Sequence, residues 1–456
     1  MSAVRSVLFV APSAYKLGGL ATWLDYLLPT LRMQGWNARL ALVSGRLFHR
    51  PDQYLLVHPD QEALVAHCET DTPVGRRLAL ERLLKRVRPD IAVSVNIPDL
   101  FVAMNRLRES NQCATRAVMS VHGIERSLFE DMARYRGTID AAVCTNRLAC
   151  ALSQSLGGVD GDRVHYAACG VTIPGKEAPE QPSPDGESDR LRIVYSGRLE
   201  TPQKRCMDLV DVVQRLDQLA VPYVLDVAGD GPDRQRLQEA LREQIARGSV
   251  VLHGFLTAQE LHQRIYAQAD AMLVTSSWET GPIVAWEAMA YGMCLVSSRY
   301  IGSRLEGSLE DGVNALLFDV GDTRAAANAL ERIWRDQGLR TTLRRGGERL
   351  VSMNYSTSAS TEAWSNAFAR TLANQALPAV ALPSPRRRGR LDRWVGTERG
   401  ENIRSLFGVR RSVAAEPGDE WPHTHSASES DENFWDIARR WDARIGREGH
   451  AHERHR

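Results

Sequence analysis

Short apolar runs alternate with stretches of helical period along most of this chain. In the first part, strand-like runs fall near 6–11, 38–43, 91–95, 116–121, 139–144 and 163–167, with helical patterns between them such as 20–34 and 75–88. Apolar runs separated by helical patterns predict parallel βαβ units. The alternation breaks at Pro174 to Arg190, a stretch rich in Pro, Glu, Gly and Ser that reads as an interdomain linker. It then restarts, with strands expected near 191–196, 223–228, 249–253, 270–275, 293–298 and 315–319. Two α/β halves joined by a polar linker predict two Rossmann-like parallel-sheet domains facing a central cleft, a common place for ligands.

From about Leu377 the pattern fades. Pro378, Pro383 and Pro385 precede Arg386, Arg387, Arg388 and Arg390, and the remainder is charged, polar and rich in histidine. Too few apolar positions remain to form a core, so residues 377–456 are expected to lack fixed structure. Phe434 to Trp441 leaves two readings open, a short amphipathic helix docking on a partner or membrane surface and a frayed tail. The expected domains are 1–174, a linker at 175–190, 191–352, a helix within 353–376, and the tail 377–456.

Bulk properties narrow the function. The 456 residues carry a net charge of +1, so no global field draws the protein to nucleic acid. The seven cysteines form no C-x-x-C pair, which argues against a zinc site or a disulfide framework and fits a reducing compartment. The opening residues are too short an apolar stretch for a signal-peptide core, and no apolar run reaches the length of a membrane span. A cytoplasmic location is expected, with peripheral contact at the inner membrane face left open.

The most informative segment runs from Ser277 to Ala290. It places Glu279 and Glu287 on either side of a Gly281-Pro282 turn that opens a helix ending near Gly292. Proline suits the first helical position. Unpaired N–H groups and the positive dipole end at a helix start suit a phosphate. Side chains lean toward the helix N-terminus, so Glu287 points back toward that phosphate. The helix rises only roughly 8 Å between Pro282 and Glu287. A diphosphate at the helix start could therefore have a carboxylate reaching hydroxyls on each flank, as acidic residues grip ribose in dinucleotide sites. That is the outline of a nucleotide-sugar. Two chance glutamates on an ordinary core helix are the competing reading.

Earlier in the second half, Ile193 to Leu199 reads as a strand ending in a glycine turn, with Arg198 at its carboxyl end and Lys204 six positions on. Open α/β sheets bind ligands at that end. Two cations and a helix start could stabilise a departing diphosphate. A solvated surface pair of basic residues is the alternative. Gly229 lies in Ala228-Gly229-Asp230-Gly231-Pro232, which fits either a close approach to nucleotide or a purely structural turn. His253-Gly254-Phe255-Leu256 closes the next strand.

These residues resemble the E-x7-E element of retaining glycosyltransferases of family four, which have the GT-B fold, over about residues 6–370. The resemblance implies that Glu279 contacts the donor sugar, Glu287 the ribose, and Arg198 and Lys204 the diphosphate. It also implies that backbone around Gly229, Gly254, Phe255, Leu256, Gly281, Ile283 and Val284 lines the nucleotide. The helix within 353–376 would cross back to the first domain. The aromatic-glycine pair usual after the first glutamate is replaced here by Thr280-Gly281-Pro282, and Pro282 removes one backbone donor. Lys16 to Leu20 resembles the K-x-G-G-L motif of bacterial glycogen and starch synthases, which implies donor contacts at Lys16, Gly18 and Gly19. His122, after the strand ending at Val121, matches a histidine that contacts the donor sugar in relatives. A satisfied loop histidine is the plainer alternative.

Two other features carry less. Asp160-Gly161-Asp162 has the letters of a D-x-D metal motif but sits in a polar turn, so no metal site is expected. The basic stretch 75–88 fits a membrane-surface helix or a sheet-covering helix with a solvated face. The reading is a metal-independent retaining transferase, moving sugar from a UDP-sugar, or next GDP-mannose, to a glycan or lipid-linked glycan. The nucleotide-sugar is a co-substrate and no cofactor is implied. A UDP-sugar 2-epimerase of the same fold and a non-catalytic nucleotide-sugar-binding subunit are the rivals.

Overall fold

The computed structural model describes residues 4–13, 18–44, 50–68, 70, 72–112, 114–174, 190–382, 390–408 and 432–444, with the side chains of 18–21 outside that set. The chain divides into two compact units, Met1–Ala167 with Thr361–Phe434, and Ala168–Ser360 with Trp435–Arg456.

The first unit is built on seven strands: β1 (Ser6–Pro12), β2 (Asn37–Val43), β3 (Ala63–Ala66), β4 (Ile91–Val95), β5 (Arg116–Val121), β6 (Ala141–Cys144) and β7 (Val164–Tyr166). They pair in the order β3-β2-β1-β4-β5-β6-β7, all parallel. The central strand explains its place by composition. Val7 to Ala11 is an unbroken apolar run, buried throughout, as a strand covered on both faces requires. Trp364 and Phe368 of the Thr357–Ala373 helix complete this core. Their rings stand 6.4 and 6.0 Å from that of Phe9. The short strand β3 was not expected from the sequence, because its four residues alternate poorly and are only partly buried.

The second unit repeats the plan with β8 (Leu191–Ser196), β9 (Tyr223–Ala228), β10 (Val250–Gly254), β11 (Ala271–Val274), β12 (Cys294–Ser298) and β13 (Ala315–Phe318). These pair in the order β10-β9-β8-β11-β12-β13, again all parallel. The Asp208–Gln218 helix buries Leu209, Val212, Val213 and Leu216 at helical spacing against this sheet. The Thr323–Arg335 helix is capped by Asp322, whose carboxylate accepts from the Ala325 N–H at 2.8 Å, and buries Leu330 and Ile333 in the same core.

Within the tail expected to lack fixed structure, 377–382, 390–408 and 432–444 are packed, and the rest of 377–456 lies outside the described residues. The Leu377 N–H donates to Asp140 at 2.9 Å, and Val380 exchanges two hydrogen bonds with the Asn105 side chain at 2.9 and 2.7 Å. Helices Arg390–Val395 and Thr397–Leu406 follow. Glu401 is buried and accepts from Thr70, and Glu398 meets Arg77 at 2.6 Å. Phe434 to Trp441 lies within a further helix, Glu432–Asp442, packed on its own chain. Buried polar and ionic partners hold these pieces, and apolar content alone does not register them.

The basic stretch forms the helix Pro73–Val87. Arg76 and Arg77 are buried, with Arg76 on Asp99 at 2.8 Å and Arg77 on Glu81 at 2.6 Å. Arg82, Lys85, Arg86 and Arg88 are exposed. Gly161–Arg163, which holds part of the D-x-D letters, is a single 3-10 turn. Among the described residues no helix is long and apolar enough to cross a membrane, and no cluster of metal-ligating side chains occurs.

Candidate active site

In the second unit the strand order reverses between β8 and β11, which pair directly. The crevice beyond the carboxyl ends of strands at such a reversal is where open α/β sheets hold ligands. Two loops leave from this point, Gly197 to Met207 after β8 and Thr275 to Pro282 after β11.

The two loops are tied together by a buried ion pair. Lys204 Nζ donates to Glu279 Oε1 at 2.5 Å, and Ser276 Oγ donates to the same oxygen at 2.6 Å. Glu279 is only 6% exposed, so its charge depends on these partners. The lysine is aimed by its own backbone, whose carbonyl accepts from Thr275 Oγ1 at 2.7 Å and from the Tyr195 hydroxyl at 3.3 Å. The glutamate is aimed by a short pairing with the segment after β12. The Glu279 N–H donates to the Ile301 carbonyl at 3.2 Å, and the Ile301 N–H donates to Ser277 at 3.0 Å. Gln203 completes the bracing, accepting the Ser277 N–H at 2.7 Å and donating to the Trp278 carbonyl at 3.2 Å.

Arg198 stands at the carboxyl end of β8 as expected, with its side chain 54% exposed and one nitrogen 3.4 Å from Glu200 Oε1. That same oxygen accepts the Lys204 N–H at 3.3 Å. Glu200 therefore links the two basic residues.

The turn before the helix needs its glycine. Gly281 has φ +89°, a left-handed conformation that side chains disfavour. Pro282 is the flanking cap residue, not the first helical position, and the helix runs Ile283–Ala290. The Pro282 carbonyl accepts the Ala285 N–H at 2.9 Å, and Pro282 itself offers no side-chain cap. Trp286 fixes the helix from behind by stacking on Tyr355 at 3.9 Å and 9°.

Glu287 lies one turn further on, among aromatic rings. The Tyr266 hydroxyl donates to its Oε2 at 3.4 Å, and His262 Nε2 lies 3.3 Å from Oε1. Burial, and then the Glu287 charge, hold the Tyr266 phenol well above its ordinary range, while a hydrogen bond with Ser196 opposes this. Tyr266 is therefore a protonated donor at any working pH.

The neighbouring glycines divide by cause. At Gly229, φ +142°, a Cβ would lie 1.9 Å from the Gly197 carbonyl oxygen, and at Gly231 one would lie 2.3 Å from that of Leu199. Both are demanded by the close approach of the loops after β8 and β9. Gly254 has φ +71° and ordinary space around it, and its carbonyl accepts the Gly229 N–H at 2.8 Å. Phe255 is exposed and Leu256 half-buried.

In the first unit, His122 follows β5 and packs on Trp23 at 4.3 Å and Trp364 at 6.3 Å. Burial in these surroundings pushes its pKa down to about 3, so the ring is neutral near pH 7. Gly18 and Gly19 open the Gly18–Met33 helix, and Lys16 lies outside the described residues.

The fold thus brings Lys204, Glu279 and, through Glu200, Arg198 into one group, with Glu287 on the adjoining helix. Sequence reasoning missed Glu200, Gln203, Ser276, His262 and Tyr266. Glu200 and Ser276 lie within a few positions of motif residues and could have been flagged as neighbours. His262 and Tyr266 carry no local signal and meet Glu287 only through the fold.

Residues 178–350 match the family model described as glycosyl transferases group 1. Among curated relatives, the lipopolysaccharide core biosynthesis glycosyltransferase LpsE of Rhizobium meliloti is 29% identical over 180 residues, 40% of this chain and 50% of that protein. The lipopolysaccharide 1,6-galactosyltransferase of Escherichia coli is 29% identical over 153 residues, 33% of this chain and 41% of that protein. The chain therefore spans half the length or less of these relatives. Among solved structures, the lipopolysaccharide outer core galactosyltransferase WaaB in apo form superposes with a TM-score of 0.62 at 19% identity, covering 80% of this chain and 99% of the other. Anabaena Alr3699/HepE in complex with UDP and glucose superposes at 0.63 and 17% identity, with the same two coverages. The fold is GT-B, two Rossmann-like domains of parallel strands.

Proposed function

We propose that this protein is a retaining glycosyltransferase that moves a sugar from a nucleotide-diphosphate donor to a hydroxyl of a glycan or lipid-linked glycan. The observation that carries this reading is the Lys204–Glu279 pair at the β8/β11 reversal, beside the start of the Ile283–Ala290 helix. A cation and the positive end of a helix suit a leaving diphosphate, and a fixed carboxylate suits sugar hydroxyls.

In this reading Arg198 and Lys204 take the diphosphate, Glu279 positions the donor sugar, and Glu287, oriented by Tyr266, takes the ribose. Lys16, Gly18, Gly19 and His122 keep the donor-contact roles that the resemblance implies. Backbone at Gly229, Gly254, Phe255, Leu256, Gly281, Ile283 and Val284 would line the nucleotide. The acceptor attacks from the face the nucleotide leaves, the departing phosphate takes its proton, and no protein nucleophile is used. Positioning then supplies much of the rate. The named relatives work on lipopolysaccharide, which favours an envelope glycan as acceptor, reached in the cytoplasm at the inner membrane face. The structure named with UDP and glucose favours a UDP-sugar over GDP-mannose.

The test is calorimetric titration of wild type and Arg198→Ala with UDP and GDP, with product analysis in the presence and absence of acceptor. We expect UDP to bind and Arg198→Ala to lose on the order of 2–3 kcal/mol of affinity. Equal affinity in the two proteins removes Arg198 from the site. Isomerised sugar without acceptor would indicate an epimerase, and binding without any turnover a partner subunit.

A further inference from the structure

The Glu432–Asp442 helix, which belongs to the second unit from Trp435 onward, meets two segments linked to Glu279. Its Trp435 ring packs on Trp278, the residue before Glu279, at 4.4 Å and 43°. At its other end Asp442 is 5% exposed, and its Oδ1 accepts the Leu305 N–H at 2.9 Å, with further bonds from the Gly302 and Arg304 N–H groups. Asp442 therefore caps the short helix Ser303–Glu306 from a distant part of the chain.

These two contacts converge on one pairing. Trp278 bridges to Ile301, and Glu279 donates to the Ile301 carbonyl. The 278–279 segment and the 301–305 segment thus hold each other, and the C-terminal helix grips one with an indole and the other with a carboxylate. Both contacts come from a stretch far along the chain from the second unit's sheet. A loop with few ties to its sheet gains order from such external contacts.

We propose that Trp435 and Asp442 are positioning residues for the Glu279 carboxylate, so that the C-terminal helix is part of the donor-sugar site. This rests on the reading of Glu279 as the sugar-positioning group. Asp442 fixes the backbone to which Glu279 is paired, and Trp435 limits rotation of the loop that carries it. The nucleotide-binding groups, Arg198 and Glu287, are not touched by the helix in any contact described above.

The experiment uses the full chain with Trp435→Ala, Trp435→Phe and Asp442→Asn. Backbone hydrogen exchange is followed for a peptide spanning 276–282, beside UDP affinity and donor turnover. We expect Trp435→Ala to speed exchange in that peptide by roughly tenfold while peptides from β8 and β9 keep wild-type rates. Turnover should fall by a similar factor, with UDP affinity within about twofold of wild type, because the loss is confined to positioning. Trp435→Phe keeps a ring and should restore most of both values, and Asp442→Asn should reproduce the Trp435→Ala pattern more weakly. Unchanged exchange in 276–282 in a folded Trp435→Ala protein overturns the proposal. So does equal loss of UDP affinity and turnover. If exchange responds as expected but wild type binds neither UDP nor GDP, the clamp on the loop stands and the transferase reading fails.

Discussion

Lys204 and Glu279 are 75 positions apart in sequence, yet their Nζ and Oε1 atoms lie 2.5 Å apart across the point where the second sheet reverses its strand order. The pair joins the phosphate side of the proposed donor site to its sugar side. Each partner neutralises the other.

Removing the lysine alone should expose this dependence. Lys204→Met leaves a buried carboxylate with the Ser276 hydroxyl as its remaining partner in that contact, and should cost about 1–3 kcal/mol of stability. Adding Glu279→Gln removes the stranded charge and should recover part of the loss. Denaturant unfolding of wild type, both single variants and the double variant checks this. A double variant no more stable than Lys204→Met would mean the pair is not coupled.

The two glutamates should separate by kinetics. Glu287→Gln should weaken free UDP or GDP and intact donor alike, because ribose is common to both. Glu279→Gln should spare free nucleotide and lower turnover, since the sugar is absent from the free nucleotide. Affinity and donor kinetics for both variants decide it, and equal loss of free nucleotide in both refutes the division.

Two alanine substitutions at glycine should differ sharply. Gly229→Ala drives a Cβ to 1.9 Å from the Gly197 carbonyl oxygen, which only a backbone shift can relieve. Gly254→Ala meets nothing closer than 3.4 Å and faces only the left-handed backbone penalty, about 1–2 kcal/mol. Thermal melts should rank Gly229→Ala well below Gly254→Ala, and the reverse order would contradict the loop packing.

His122 should make stability depend on pH. Its folded pKa, about 3, is depressed below the ordinary 6.5 by burial. The unfolded chain then binds the extra proton between these values, so stability is fully present above about pH 6.5 and is lost as pH falls toward 3. Between pH 7 and pH 5, where most carboxylates stay ionised, the loss from this residue should be about 2 kcal/mol. His165 is depressed as well, mainly by burial, and will remain in the variant. His122→Phe should flatten the stability profile in that range, and an unchanged slope would show that the ring is protonated in place.

Truncation after Gln375 should lower the melting temperature by several degrees. It removes the partners of Asp140, Asn105 and Thr70 in the first unit and of Trp278 and Leu305 in the second. A melting temperature equal to wild type would show that these contacts contribute nothing.

The strands were legible where apolar residues run together. Val7 to Ala11 and Ile193 to Tyr195 are buried apolar runs that announce themselves, while Ala63–Ala66 at a sheet edge, half-exposed, does not. In the site, Glu279, Glu287 and Arg198 stood out because glycine turns and strand ends punctuate the chain beside them. Tyr266 and His262 reach Glu287 only through tertiary packing, which no local spacing encodes. The C-terminal helices were misread for a related reason. Glu401, Asp392 and Asp442 look like solvated charges in sequence, yet each is buried against a partner.

The first unit is assembled from two separated stretches, and this sets an order of events during synthesis. Strand β1 and Trp23, one ring partner of Phe9, leave the ribosome early, but two further partners, Trp364 and Phe368, are made only after the whole second sheet. At about 5–20 residues per second, Phe9 waits on the order of tens of seconds for Trp364. The second sheet, contiguous from Leu191 to Phe318, is free to close within that interval. The N-terminal half of the nascent chain is therefore the one that stays open longest, and its exposed apolar strands are where a chaperone would find this protein.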